Sequence, residues 1–248
     1  MPNEMNNILT LDADSNIETQ QSKEDLIWHE ITNAYRTRRI LTGTLGGIER
    51  LEGGATIAII YYKNFRVVIP ITEMMIHLIE DEAHNYGEIS LRQNKIVNTM
   101  LGCEIDFIIK GLDSKTRSIA ASRKDAMLKK RQIFYLDQDV SGNHKIYEDR
   151  VVQARVIAVA AKVVRVEIFG VETSIPARDL SFDWLGDANE RFHVGDHILV
   201  RILDVQAEDP EHISVKADVK SVEGNTSKAN MALCKVQGKY AGTVEDIH

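Results

Sequence analysis

Asp137, Asp139, Ser141, Gly142 and Glu148 stand at positions 1, 3, 5, 6 and 12 of a calcium-loop spacing. Oxygen ligands at those offsets wrap a hard cation, with the glycine allowing the sharp turn. Here the eighth position is His144 rather than an aliphatic residue, and the ninth is Lys145, which brings a positive charge toward the ion. A turn between 132–136 and 145–147 accounts for the same residues without a metal. His77, Glu80, Asp81, Glu82 and His84 form a second group of zinc-type or transition-metal donors. Its helical pairs, His77 with Asp81 and Glu80 with His84, are offset from each other, so a solvated helical face is the expectation. No G-x-S-x-G, Walker or Rossmann glycine pattern occurs, and no Cys–His or Ser–His pair can be placed. No enzymatic activity, metal or cofactor is expected. Cys103 and Cys234 have no CxxC partner, which argues against a disulfide framework or zinc site and for a reducing, cytoplasmic setting.

The elements that must carry any binding chemistry come from a chain of 248 residues, 44% apolar and 27% charged, enough for roughly one to two soluble domains. No apolar run approaches the roughly 18 to 20 residues of a spanning helix, and the start is acidic and polar, so neither membrane nor secretion is indicated. The net charge of −7 is segregated: residues 1–35 hold seven acids against Lys23, 36–131 carry 16 Lys and Arg against 11 Asp and Glu, and the remainder is acidic again. Within the basic stretch, 122–131 reads as a strongly basic helix, either a solvated linker or an extension of a positive track along a phosphate backbone.

Residues 1–39 read as an acidic, disordered tail plus a short amphipathic helix over 23–36, with Ser22 and Asp25 as a capping box and Ile27, Ile31, Ala34 and Tyr35 on one stripe. Strand-like runs follow at 42–48, 56–62, 65–69, 104–112 and 117–121, and recur at 151–160, 163–169, 171–175, 197–205 and 212–215. Gly102 and Gly195 each open a strand run, and the Ser-x-Lys lysines Lys124 and Lys216 follow 22 and 21 positions later. Ile69–Pro70 and Ile175–Pro176 end the third strand of each copy. One fold is present twice: a first domain at 40–130 with the basic helix at its end, and a linker hairpin plus second domain at 131–222. Residues 223–248 read as a polar spacer and a possible start of a third copy, where 241–244 echoes 42–45.

Both copies resemble the S1 (S-one) domain, the five-stranded OB-fold barrel named after the large ribosomal protein of the bacterial small subunit. The resemblance rests on LTGTLGGIE, AIIYYKNFRVVIPITEM and LGCEIDFIIKGLDSKTRSIAASRKDAM in the first copy, and on VQARVIAV, VVRVEIFGVETSIPARDLS, VGDHILVRILDV and ISVK in the second. It covers about 40–130 and 148–220. It implies a mainly β protein of two tandem OB-fold barrels with a short N-terminal helix and a helical linker, and single-stranded RNA bound across one barrel face.

The family's contacts are an aromatic on the second strand, a histidine late on the third, and an Asp and an Arg four apart after the fourth. In the first copy the first two positions fall on Ile59 and Pro70, but Asp113 and Arg117 keep both types and spacing. Tyr61, two places beyond Ile59, projects on the same face of an alternating strand and supplies a ring. Lys63, Phe65 and Arg66 interleave cations and an aromatic beside it. In the second copy the four positions hold Arg165, Pro176, Gln206 and Pro210, so Arg165 is left to meet a base or phosphate, with Arg155 and Arg178 extending the patch. The resemblance therefore implies a non-catalytic single-stranded RNA or mRNA binder associated with the ribosome or another ribonucleoprotein in translation. A second reading is a protein-docking adaptor that uses the divergent second copy, the acidic tail and helix 23–36; an accessory part of an RNA-processing enzyme would need a catalytic domain past His248.

Overall fold

The computed structural model describes residues 20–76, 86–223 and Gly238. The clustered donors from His77 to His84 and the echo at 241–244 lie outside the described residues. No helix among those described is long and apolar enough to cross a membrane.

The chain runs α1 (Gln20–Thr37), β1 (Leu41–Arg50), β2 (Thr56–Tyr62), β3 (Phe65–Pro70), α2 (Tyr86–Thr99), β4 (Glu104–Asp113), β5 (Ser118–Ser122), α3 (Arg123–Arg131), β6 (Val151–Ala160), β7 (Val163–Ile168), β8 (Val171–Pro176), α4 (Ala177–Leu180), β9 (His197–Ala207), β10 (Ile213–Asp218) and α5 (Lys220–Glu223). The first five strands close into a barrel in the order β1-β2-β3-β5-β4, and the second five form a sheet in the equivalent order, β10-β9-β6-β7-β8. This is the tandem OB-fold architecture. Period-two burial drives both: Leu41, Leu45, Ala58, Ile60, Val67, Ile69, Ile105 and Phe107 enter the first core, and Val152, Ala154, Val156, Val164, Val166 and Ile168 the second.

The repeat extends to backbone detail. Gly102 and Gly195 both sit at positive φ, +85° and +95°, where a side chain is strained. The Gly102 amide donates to Leu45 O at 2.9 Å, and the Gly195 amide to Val156 O at 2.8 Å. Beside those contacts β1 carries a bulge between Leu45 and Gly47, and β6 one between Val156 and Ala158. Both bulges bend a long first strand so that it can pair with two neighbours.

Two expectations change. The segment Gln132–Leu136 is not the first strand of a hairpin; it prolongs α3 as a π-helical turn, held by buried Tyr135, whose hydroxyl donates to Ile168 O at 2.6 Å. The Asp-Ser-Gly run after it is a tight turn in which the Asp139 carboxylate accepts from the Ser141 and Asn143 amides.

The basic helix is the second. Ser122 caps α3 by accepting from the Asp125 amide, but the helix is a strut between the barrels, neither a solvated linker nor a phosphate track. Arg123 is fully buried, with its guanidinium donating to Met74 O at 2.9 Å, to Glu172 at 2.7 Å and to Glu167 at 3.5 Å. Lys130 bridges Asp106 of the first barrel to Glu167 of the second. Arg155, expected to extend an RNA patch, donates instead to Asp106 at 3.1 Å and pairs with Glu104 at 3.3 Å. Burial opposes ionisation at Asp106, yet Lys130 and Arg155 hold its carboxyl below the usual range. Burial likewise works against the Arg123 cation, and Glu172 and Glu167 outweigh it. Beside this network burial pushes the Cys103 thiol up to about 12, which makes it an inert core group.

Candidate nucleic-acid interface

The outer face of β2 and β3 contains two of the residues singled out in the first barrel, Tyr61 and Arg66. On β2 the even positions Ala58, Ile60 and Tyr62 fill the core and the odd ones point outward. Ile57 and Ile59 of the outward set are buried, whereas Tyr61 is 53% exposed. A Cβ at Gly46 would stand only 2.2 Å from the Tyr61 ring, so the absent side chain at 46 lets the ring lie against the β1 backbone. Directly across the ladder from Tyr61 is Arg66, whose guanidinium meets Glu49 of β1 at 2.5 Å. An open ring and a half-exposed cation thus share one surface, with a carboxylate beside them.

The other first-barrel candidates are drawn to the end of the barrel that α1 covers. Ile31 and Ala34 of α1 are fully buried in the first core. Phe65 belongs to the inward set with Val67 and Ile69, and packs on Trp28 with ring centroids 5.8 Å apart. Lys63, in the tight β2–β3 turn, pairs with Glu30 at 2.6 Å. The Glu30 carboxyl is held below its usual range by that hydrogen bond from Lys63, against a smaller opposing effect of burial. Arg117 turns to α1, with its guanidinium 2.8 Å from Asp25, 3.6 Å from Glu24 and 5.9 Å from the Trp28 ring centroid. Asp113 accepts from the Lys115 amide at 2.9 Å and the Thr116 hydroxyl at 2.8 Å, so it shapes the β4–β5 turn; those donors hold its carboxyl low, the Thr116 hydroxyl most. The surface therefore keeps Tyr61 and Arg66 together, and gives Lys63, Phe65, Asp113 and Arg117 local partners.

In the second barrel Arg165 also faces outward, opposite Ser174, with Ala158 beside it. Its guanidinium pairs with Glu172, the carboxylate that also holds Arg123. Arg165 lines a cleft of about 470 Å³ with Arg131, Gln206, Glu208, His212 and Ser214. Within it the positive groups are answered by acids. Arg178, on α4, is 85% exposed along its side chain, with Asp179 at 3.7 Å.

Sequence reading missed Trp28 and the acids Glu24, Asp25 and Glu30 as occupants of the first barrel's basic end. Their stripe on α1 was the available signal: the charge of this helix is opposite to that of the barrel that follows it.

Residues 145–223 match the S1 RNA binding domain. That stretch contains the whole of the second barrel, β6 to β10. No curated protein matches the chain. Among solved structures, the a/eIF2alpha–aDim2p–rRNA complex from Pyrococcus horikoshii OT3 is similar at 17% identity over 35% of this chain and 52% of that chain, with a TM-score of 0.28. A multidomain protein with nucleic acid binding domains from Streptococcus pneumoniae TIGR4 is similar at 9% identity over 73% of this chain and 51% of that chain, with a TM-score of 0.29. The chain spans about half the length of each of these two chains.

Proposed function

We propose that the protein binds single-stranded RNA, mRNA in particular, across the outer β2–β3 face of the first barrel, and that it acts in translation in the cytoplasm on the ribosome or another ribonucleoprotein. The observation that carries this reading is the cross-strand pair of Tyr61 and Arg66 on an open sheet face. An exposed ring stacks on a base whatever its sequence, and a neighbouring guanidinium meets phosphate by exchange with Glu49. The S1 match to the second barrel supports the ligand class. The adaptor reading has less support, because α1, its docking element, buries Ile31 and Ala34 in its own barrel.

Binding of a fluorescently labelled oligouridylate, followed by anisotropy across a salt series, tests the proposal. Affinity falls steeply with salt, and Tyr61→Ala weakens it by about 1–3 kcal/mol. Equal affinity of Tyr61→Ala and the parent protein would remove this face from the site. Co-sedimentation of the parent protein with small ribosomal subunits, lost in that variant, tests the translational role.

A further inference from the structure

The second barrel has no aromatic at the position from which its family stacks on RNA, yet it holds two solvent-facing rings elsewhere. Phe182 is 45% exposed and Trp184 64% exposed, both in the loop that follows α4. Leu199 and Leu203 of β9 are exposed as well, at 55% and 47%, but aromatic rings on the outside offer a flat stacking surface that a leucine does not. The loop is pinned to the β6–β7 turn rather than loose. The Ala177 amide donates to Lys162 O, and the Ala188 amide to Ala161 O, each at 2.9 Å. Lys162 Nζ donates to Gly186 O at 2.8 Å and stands 5.4 Å from the Trp184 ring centroid. A Cβ at position 186 would come within 2.9 Å of the Trp184 ring, so the glycine is what allows the ring to rest against the loop backbone.

The position suits a ligand. The loop lies where Val163 pairs with Pro176, at one end of the hairpin whose β7 carries Arg165. Lys162 and Arg178 offer two cations on the same end, while Asp187 is turned into its own cap by the Asn189 amide and side chain. We propose that Trp184 and Phe182, with Lys162 and Arg178, form a base-stacking platform for unpaired RNA on the second barrel, separate from the family's contact positions. The proposal rests on the RNA reading above and adds a second point of attachment for one strand. Preordering of the ring by Lys162 and Gly186 lowers the ordering cost of stacking a base on it.

The experiment uses the full chain with Trp28→Phe, which leaves Trp184 as the only tryptophan of the two in the sequence. Titration with oligouridylate is expected to quench its fluorescence saturably, with the midpoint seen by anisotropy. Trp184→Ala in the parent protein is expected to weaken binding about tenfold, the size of one lost stack, while Trp184→Phe, which keeps a ring, stays close to the parent. Unquenched fluorescence, or unchanged affinity in Trp184→Ala when Tyr61→Ala does lose affinity, overturns the platform and leaves the first-barrel reading standing. Equal loss in Trp184→Phe and Trp184→Ala also overturns it, since stacking is then not what the residue supplies. If the parent protein binds no oligouridylate, both readings fall together.

Discussion

In the first barrel Val67 and Val68 pair in parallel with Ile119 and Ala120, and the cylinder closes. In the second barrel the corresponding strands, β8 and β10, lie side by side with no ladder between them among the described residues, and the cleft lined by Arg165 and Gln206 opens next to them. The two barrels share bulges, glycine pivots and strand order, so their difference is in how they spend their cations. The first leaves Arg66 beside an open ring and ties Lys63 and Arg117 to α1. The second neutralises Arg165 with Glu172 and gives Glu167 to the inter-barrel network. One fold can therefore leave an outward cation beside an open ring or pair it with a largely buried acid, according to where a few carboxylates lie.

The largest effect is expected where the two barrels meet. Arg123→Met takes the buried guanidinium from Met74 O, Glu167 and Glu172, leaving the two acids only Lys130 and Arg165, and removing one partner of a buried ionic group costs roughly 3–5 kcal/mol. Denaturant unfolding of the variant should show this loss, and a split into two transitions would identify α3 as the coupler of the barrels. An unchanged midpoint would mean that the barrels hold together without it.

The same network gives the contact a pH dependence. Asp106 has a lowered folded-state pKa, so its contribution is present above the unfolded value, roughly 3.9, and is lost as pH falls through the lower folded value. Stability measured from neutral pH downward should therefore decline more steeply in the parent protein than in Asp106→Asn, and parallel curves would remove Asp106 from the coupling.

A smaller effect probes the shared pivots. Gly102→Ala and Gly195→Ala meet no clashing atom, so each pays only backbone strain, about 1–2 kcal/mol. Thermal denaturation should give similar losses for the two, and a marked inequality would break the equivalence of the barrels. The smallest change is expected from Asp25→Asn with Glu24→Gln. Exposed ion pairs of this kind contribute about 0.2–1 kcal/mol, so stability should barely move while Arg117 is released, and oligouridylate affinity at low salt should rise by about twofold to fivefold. A fall in affinity would mean that these acids do not compete with phosphate.

Much of this was legible in the residues. Alternation predicted ten strands close to those found, and it also contained a detail left unused: Phe65, Val67 and Ile69 share one parity, so Phe65 had to point inward while Arg66 pointed out. The helix α2 was hidden in the longer loop of the first copy, where polar residues outnumber the apolar ones that Val97 and Ile96 contribute to the core. The destination of the cations was not legible at all. Arg123 and Arg117 are the same residue type within six positions, yet one is buried between barrels and the other reaches across 92 residues to Asp25.

From the sequence alone came the β class, the repeat, its glycine pivots and the ring at Tyr61, because strand periodicity and positive-φ demands are local and leave their mark in consecutive residues. Only the tertiary structure decided which charges are open to a ligand. An ion pair is a matter of distance in space, and its two members here come from different strands, from α1 or from the opposite barrel, where no spacing along the chain records them.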